Sequence, residues 1–270
     1  MYKKFFLVLL SLLALVLTLS LRPVLAENQN KNKDDESFSP PEIEGTYDVP
    51  GHPNMKVRVF IYRIKERGRP SPSPTPITTP VCGLDDPNSS APDGITGYHL
   101  PTSWKYNLNP GSVPSSVGSS NLQAIATSSF ASWTNEIPGT MTITKRADTD
   151  ANRAKFDRQN IIAWGRTSSS ALAVTYTWYN TYTKEFVDVD TIMNNSVPWS
   201  WSGSETCAYP DSYDAQNILT HELGHWMGMD DMKTDEFVDN TMYGWGSTKE
   251  AKKDTLTKGD IAGLKTIPTY

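Results

Sequence analysis

The spacing of hydrophobic residues changes several times along the chain, and these changes predict the order of its secondary structure. Alternating or short continuous apolar runs, which are typical of strands, occur at 56–62, 104–108, 141–144, 160–164, 171–179 and 186–193. Helical spacing occurs at 122–133 and at about 213–227, and Thr257 with Asp260 forms a capping pair for a last helix. We therefore expect an α+β domain with one mixed, twisted sheet, two long helices packed against it and a loop-rich C-terminal subdomain that ends in a helix.

Residues 1–26 have the organisation of a secretory signal peptide. Two lysines precede an apolar run from Phe5 to Leu21, and small residues end the segment at Ala26. An uncleaved membrane anchor is the alternative, but this run is at the short limit for crossing a bilayer. Cleavage after Ala26 predicts a secreted, extracellular protein.

Composition separates residues 27–80 from the rest of the chain. Residues 27–50 are rich in charged residues, asparagine and proline, and five prolines lie between 67 and 80. A segment rich in charged residues, asparagine and proline has few apolar side chains to bury, and a segment with closely spaced prolines forms an extended linker. We interpret 27–80 as a pro-region or disordered tail with a Pro-rich linker, and we place the folded domain at 81–270.

Overall composition narrows the class of protein. Hydrophobic residues make up 37% of the chain, which is enough for a core. Lysine and arginine total 25 against 30 aspartates and glutamates, for a net charge of -5, and this balance argues against a nucleic-acid partner. With only four histidines in the chain, two of them at a functional spacing are informative.

The segment that begins at His221 reads His-Glu-Leu-Gly-His-Trp-Met-Gly-Met-Asp-Asp. On a helix, His221 and His225 lie one turn apart on the same side, where both can bind one zinc ion. Glu222 lies close enough to hold a water there, and a glycine three residues after His225 permits a turn that brings Asp231 back to the metal. We predict one catalytic zinc with His221, His225 and Asp231 as ligands and Glu222 as general base. Two ordinary, partly buried histidines are the alternative.

This segment resembles the metzincin signature H-E-x-x-H-x-x-G-x-x-H/D, with Gly228 at the glycine position. Met242 lies in Asn-Thr-Met-Tyr-Gly, which is similar to the methionine turn of that clan. The combination resembles secreted matrixins of bacterial type, although vertebrate matrixins have histidine where this chain has Asp231. The resemblance implies a metzincin-like zincin domain and an apolar floor under the metal at Met242. It also implies a substrate-binding edge strand at Ala171, Leu172, Ala173 and Val174.

The resemblance further implies a secreted zinc metalloendopeptidase that acts on proteins or peptides, with Glu222 activating a water molecule. A catalytically inactive metzincin-fold protein, secreted or anchored at the cell surface, is the alternative, and the intact Glu222 argues against it. We expect a monomer without a nucleic-acid partner, and without a membrane partner once the signal peptide is removed.

Two weaker signals leave alternatives open. An even pair of cysteines in an exported protein favours a disulfide between Cys82 and Cys207. The residues around Cys82, however, loosely resemble the matrixin cysteine switch, in which a pro-region thiolate binds the zinc. Asp188 and Asp190 alternate with valines, which favours a solvated strand face, and a calcium (Ca2+) site is the alternative.

Overall fold

The computed structural model describes residues 38–65 and 79–268. The predicted signal peptide and most of the Pro-rich linker lie outside these two ranges. Within them, no helix is both long enough and apolar enough to cross a membrane.

The described residues form three α-helices and twelve β-strands. The helices are α1 (Leu122–Thr134), α2 (Ala215–Met227) and α3 (Lys258–Leu264). The strands are β1 (Gly45–Val49), β2 (His52–Ile64), β3 (Val81–Cys82), β4 (Ser103–Leu108), β5 (Thr142–Lys145), β6 (Ile161–Gly165), β7 (Ala171–Asn180), β8 (Phe186–Asn194), β9 (Trp199–Ser200), β10 (Cys207–Ala208), β11 (Tyr213–Asp214) and β12 (Trp245–Gly246). The predicted α+β class is confirmed, because the predicted strands and the two long helices after residue 97 are present to within two residues.

Most of the strands belong to one mixed sheet, in the order β1-β2-β7-β8-β6-β4-β5, with β12 paired to β2. Strands β5, β4, β6 and β8, in that order, pair in parallel with one another. On the other side, β1, β2, β7 and β8 pair antiparallel. Strand β7 is therefore a central strand, and residues 171–179 are all buried, which explains their almost continuous apolar character.

A hydrophobic core covers each face of this sheet. Helices α1 and α2 pack on one face, where Trp133 is fully buried and its Nε1 donates a hydrogen bond to the Thr220 carbonyl at 2.8 Å. On the opposite face, Val57, Val59 and Ile61 of β2 contribute to a second core. Truncation of a buried tryptophan such as Trp133 typically costs about 3–5 kcal/mol of unfolding free energy.

Strands β1 and β2 correct our expectation for residues 27–80. We expected a pro-region or disordered tail outside the folded domain, but 45–64 contributes two strands of the main sheet, and β2 pairs with β7 from Met55 to Arg63. The predicted strand at 56–62 is thus longer than its local pattern indicates. Its stability comes from pairing with a strand more than a hundred residues away, which local composition does not register.

The environment of Asp188 and Asp190 is also different from our expectation. Both side chains are buried rather than solvated. Asp188 accepts hydrogen bonds from the backbone N–H groups of Asp157 and Arg158, each at 2.6 Å, and Asp190 accepts one from Ile161 at 2.9 Å. The two carboxylates therefore hold the loop before β6 against the sheet, and calcium binding stays a prediction.

The predicted disulfide between Cys82 and Cys207 is present and joins β3 to β10. The two cysteines are 125 positions apart, and a loop of that length contributes roughly 5 kcal/mol in the chain-entropy model. Because its sulfur is engaged in this bond, Cys82 does not act as a cysteine switch in this structure.

Candidate metal centre

Helix α2 is the platform of the candidate site, and both of its ends are fixed by specific residues. At its start, the Asp214 carboxylate accepts hydrogen bonds from the backbone N–H groups of Gln216 and Asn217. At its end, Gly228 has a φ of 102°, as the sequence predicted. A Cβ atom there would lie 2.1 Å from the Tyr98 carbonyl oxygen, so a larger residue would displace the turn that follows.

The two histidines of α2 are fully buried and held in fixed orientations. Nδ1 of His221 is 2.7 Å from the Thr241 carbonyl oxygen, and Nδ1 of His225 is 3.0 Å from the Met229 carbonyl oxygen. These contacts place the proton of each neutral ring on Nδ1. The Nε2 atoms have no hydrogen-bond partner, and a buried acceptor without a partner is a ligand atom suited to a metal.

The turn after Gly228 brings Asp231 to both histidines, as predicted. Its Oδ1 lies 3.3 Å from Nε2 of His221 and 3.5 Å from Nε2 of His225. Ligands at 2.0–2.1 Å from a tetrahedral zinc are separated from one another by roughly 3.3 Å. In the part of the chain that the structure describes, these three residues form a group that could hold a metal ion, and the spacing of their atoms fits zinc.

The neighbouring Asp230, which competes with Asp231 in the sequence, has a different position. Its Oδ1 lies 3.5 Å from a guanidinium nitrogen of Arg58 and accepts a hydrogen bond from the backbone N–H of Asp231. Asp230 therefore stabilises the turn, whereas Asp231 faces the histidines.

Burial and charge set the protonation of these three side chains. Burial lowers the pKa of His221 to about 4, so this imidazole is neutral at neutral pH. Burial alone would raise the pKa of Asp231, but the two imidazoles outweigh it and hold that pKa well below its usual range. For His225, burial opposes protonation, but the Asp231 carboxylate prevails and raises the pKa. A proton and a metal ion would therefore compete mainly at His225.

Glu222 is buried beside this group and ends a chain of hydrogen bonds. The Trp226 indole donates to the Thr191 hydroxyl at 2.9 Å, the Thr191 hydroxyl lies 2.6 Å from that of Thr175, and Thr175 donates to Oε2 of Glu222 at 2.5 Å. Because Thr175 donates its only proton to Glu222, the Thr191 hydroxyl donates to Thr175 and accepts from the indole. Oε1 has no partner, and burial raises the pKa of Glu222 to about 7.

The turn that contains Met242 packs against α2 between the two histidines. A Cβ atom at Gly224, in α2 between the two histidines, would lie 2.2 Å from Sδ of Met242. The Asp260 carboxylate accepts hydrogen bonds from the backbone N–H groups of Thr241 and Met242 at 3.1 and 3.3 Å. Sequence reasoning identified Asp260 only as a capping residue, and its link to the turn is an additional finding.

The candidate site is covered by β2, and this overturns one of our expectations. Phe60 stacks on His225 and Tyr62 on His221, each with ring centroids 3.9 Å apart. In the ladder, Phe60 is opposite Thr175 and Tyr62 is opposite Ala173. The strand that includes Ala171, Leu172, Ala173 and Val174 is consequently not an edge strand in this structure. Sequence reasoning missed Phe60 and Tyr62 because it placed them outside the domain.

Comparison with known proteins does not extend this description. No protein-family model matches the chain, and a search of curated protein sequences gave no match.

Proposed function

We propose that this chain is a zinc-dependent endopeptidase of the metzincin type. The observation that carries the proposal is the convergence of three unpartnered ligand atoms, on His221, His225 and Asp231, beside a buried glutamate with one free oxygen. Three protein ligands leave one position of a tetrahedral zinc for water or substrate, which is typical of catalytic sites.

In the proposed reaction, Glu222 moves the protons. When bound, zinc supplies a Lewis acid that acidifies water and polarises a peptide carbonyl. Glu222 takes a proton from the attacking water through its free oxygen, and the water oxygen bonds to the carbonyl carbon. As the C–N bond breaks, Glu222 returns that proton to the leaving nitrogen. The hydrogen bond from Thr175 holds the carboxylate in place during both transfers.

An extended peptide is the substrate that the surrounding sheet supports best. Strand β7 already accepts one antiparallel strand, β2, beside the candidate ligands, and peptides bind to sheets in the same way through main-chain hydrogen bonds. Since β2 occupies this position and the candidate ligands are buried, a substrate reaches them only when β2 is displaced. Residues 45–64 therefore act as a pro-region in the proposal.

The proposed setting is extracellular. A disulfide persists in oxidising compartments, and Cys82 and Cys207 form one. The predicted signal peptide, with cleavage after Ala26, agrees with this setting.

The burial of the ligands favours a second candidate function. If β2 never leaves, the metal joins α2 to the following turn as a structural ion, and the protein is a metal-stabilised binding protein without catalytic activity. The two functions differ in one measurable property, because only the peptidase hydrolyses peptides after β2 has been released.

Zinc-dependent hydrolysis tests the proposal. A peptide library is incubated with the intact chain and with a chain cut between β2 and β3, in each case before chelation, after chelation and after zinc is added back. We expect hydrolysis by the cut chain that chelation abolishes and zinc restores, with one zinc per chain by metal analysis. Zinc binding without hydrolysis in every condition would favour the structural role.

A further inference from the structure

Strand β2 is held in the candidate cleft by main-chain contacts on both of its sides. It pairs antiparallel with β7, and its end pairs in parallel with β12. Backbone N–H groups of Arg63 and Lys65 donate to the carbonyls of Gly244 and Gly246 at 3.1 and 3.0 Å. These bonds use only backbone atoms, so an extended peptide of another sequence can form them equally well.

The side chains of β2 alternate between two environments. Val59 and Ile61 face the second core, whereas Phe60 and Tyr62 stack on the imidazoles of the candidate metal ligands. A peptide in the place of β2 therefore presents every second side chain to the candidate site. Two aromatic side chains at that spacing fill it in this structure.

Tyr62 occupies a pocket whose inner end carries a charge. One ring face stacks on His221, and the hydroxyl lies so close to Gly246 that a Cβ atom there would be 3.0 Å from it. At the end of the pocket, the fully buried ammonium of Lys253 donates a hydrogen bond to the Tyr62 hydroxyl. Oε1 of Glu250 lies 3.7 Å from that ammonium.

The three protons of Lys253 account for the chemical preference of this pocket. Nζ also donates to the carbonyls of Tyr243 at 2.7 Å and Trp245 at 3.0 Å, so the Tyr62 hydroxyl accepts the third proton. A phenylalanine in the same pocket would remove the acceptor of the third proton. The Glu250 carboxylate, at 3.7 Å, lies beyond hydrogen-bond distance, and an unsatisfied charged donor is costly. A small aliphatic side chain would in addition leave a cavity.

We propose that this pocket is a binding site for the tyrosine side chain of an extended peptide that carries another aromatic residue two positions earlier, and that Lys253 determines the selection. Residues 60–62, Phe-Ile-Tyr, are the resident copy of such a peptide. The inference deepens the proposed function by naming the class of substrate. Binding of the peptide, however, is separable from its hydrolysis.

The test measures exchange of the resident strand in the full chain. A protease recognition sequence replaces residues 70–75, the chain is cut there, and Glu222→Gln removes hydrolysis. Zinc-loaded protein is titrated with fluorescent peptides of the sequence 55–65 that carry Tyr, Phe or Ala at the position of Tyr62, and anisotropy reports binding. We expect the Tyr peptide to bind at least about tenfold more tightly than the Phe peptide, as for one hydrogen bond to a charged group, and the Ala peptide to bind more weakly still.

A matched pair of variants assigns the selection to one lysine. Lys253→Met keeps a similar volume and removes the ammonium, so we expect the Tyr and Phe peptides to bind it within a factor of about three. Lys252→Met is the control, because Lys252 instead donates to the Val238 carbonyl, and the tenfold preference should persist. The comparison of peptides on unaltered Lys253 does not depend on either variant folding.

Three results would overturn the inference: no exchange of β2 for added peptide, equal binding of the Tyr and Phe peptides, or a tenfold preference that survives Lys253→Met. Failure of the proposed function has a different signature. In that case the peptides bind with the expected preference, but the cut chain with Glu222 intact does not hydrolyse them.

Discussion

Gly224 provides a test in which local helix propensity and tertiary packing predict opposite outcomes. It lies inside α2, where replacement of glycine by alanine normally stabilises a helix by about 1 kcal/mol. In this structure, however, the new Cβ would lie 2.2 Å from Sδ of Met242 and 2.7 Å from Cζ2 of Trp133. Met242 has a flexible thioether and can adjust, whereas the indole of Trp133 is fully buried and its Nε1 is bonded to α2.

Packing should therefore outweigh propensity for Gly224→Ala. Overpacking of a tight core costs typically about 1–3 kcal/mol, occasionally more, and two contacts shorter than 3 Å place this site at the upper end. After the propensity gain is subtracted, we expect a net loss of about 1–2 kcal/mol of unfolding free energy. For a domain of this size, that corresponds to a fall of about 2–8 °C in the melting temperature.

Urea unfolding of zinc-free protein measures this loss without a contribution from the metal. Ser128→Ala is the control, because Ser128 is exposed on α1 and the same propensity argument predicts no loss of stability there. We also expect weaker zinc binding by Gly224→Ala, since Met242 lies against the helix between the two histidines. An unfolding free energy equal to or above that of the wild type would refute the packing argument.

Three further predictions concern the ligands and the disulfide. Asp231→Ala should lower zinc affinity by at least about a hundredfold, more than the loss of a residue that only hydrogen-bonds to a ligand, whereas Asp230→Ala should change the affinity less than tenfold. Metal analysis after dialysis compares the two variants, and equal zinc losses would contradict the ligand assignment. A proton on His225 excludes the metal, and the pKa of His225 is raised. Zinc retention should therefore fall as the pH drops through that pKa, and retention independent of pH would contradict the assignment of His225 as a ligand. Replacement of Cys82 and Cys207 by serine should lower the unfolding free energy by up to about 5 kcal/mol, and unchanged urea unfolding would show that the loop closure contributes little.

The helix and the convergence of His221, His225 and Asp231 were predictable because their signals are local. His221 and His225 are one helical turn apart, and Gly228 is the residue type that a left-handed helix end requires. The position of Asp231 then follows from a turn of only three residues. Because only a few backbone angles separate these residues, their relative positions depend little on contacts with distant parts of the chain.

The position of strand β2 over the candidate site was not predictable from the sequence. Strand β2 pairs with β7 through backbone hydrogen bonds, which leave no trace in side-chain pattern. Lys253 is a charged residue that a sequence pattern assigns to the surface, and its burial depends on three acceptors, one of them on β2. The polar Thr175 after an apolar run was the one available signal for a partner of Glu222.

Hydrolysis by the Glu222→Gln variant tests the proposed peptidase function most directly. The cut, zinc-loaded chain is assayed on a Tyr-containing peptide with Glu222 intact, with Glu222→Gln and with the exposed Glu205→Gln as control. We expect Glu222→Gln to lose at least about a hundredfold in hydrolysis, as for a lost acid–base group, while it retains one zinc per chain. Glu205→Gln should keep full activity. Near-normal hydrolysis by zinc-loaded Glu222→Gln would contradict the proposed role of Glu222 as general base.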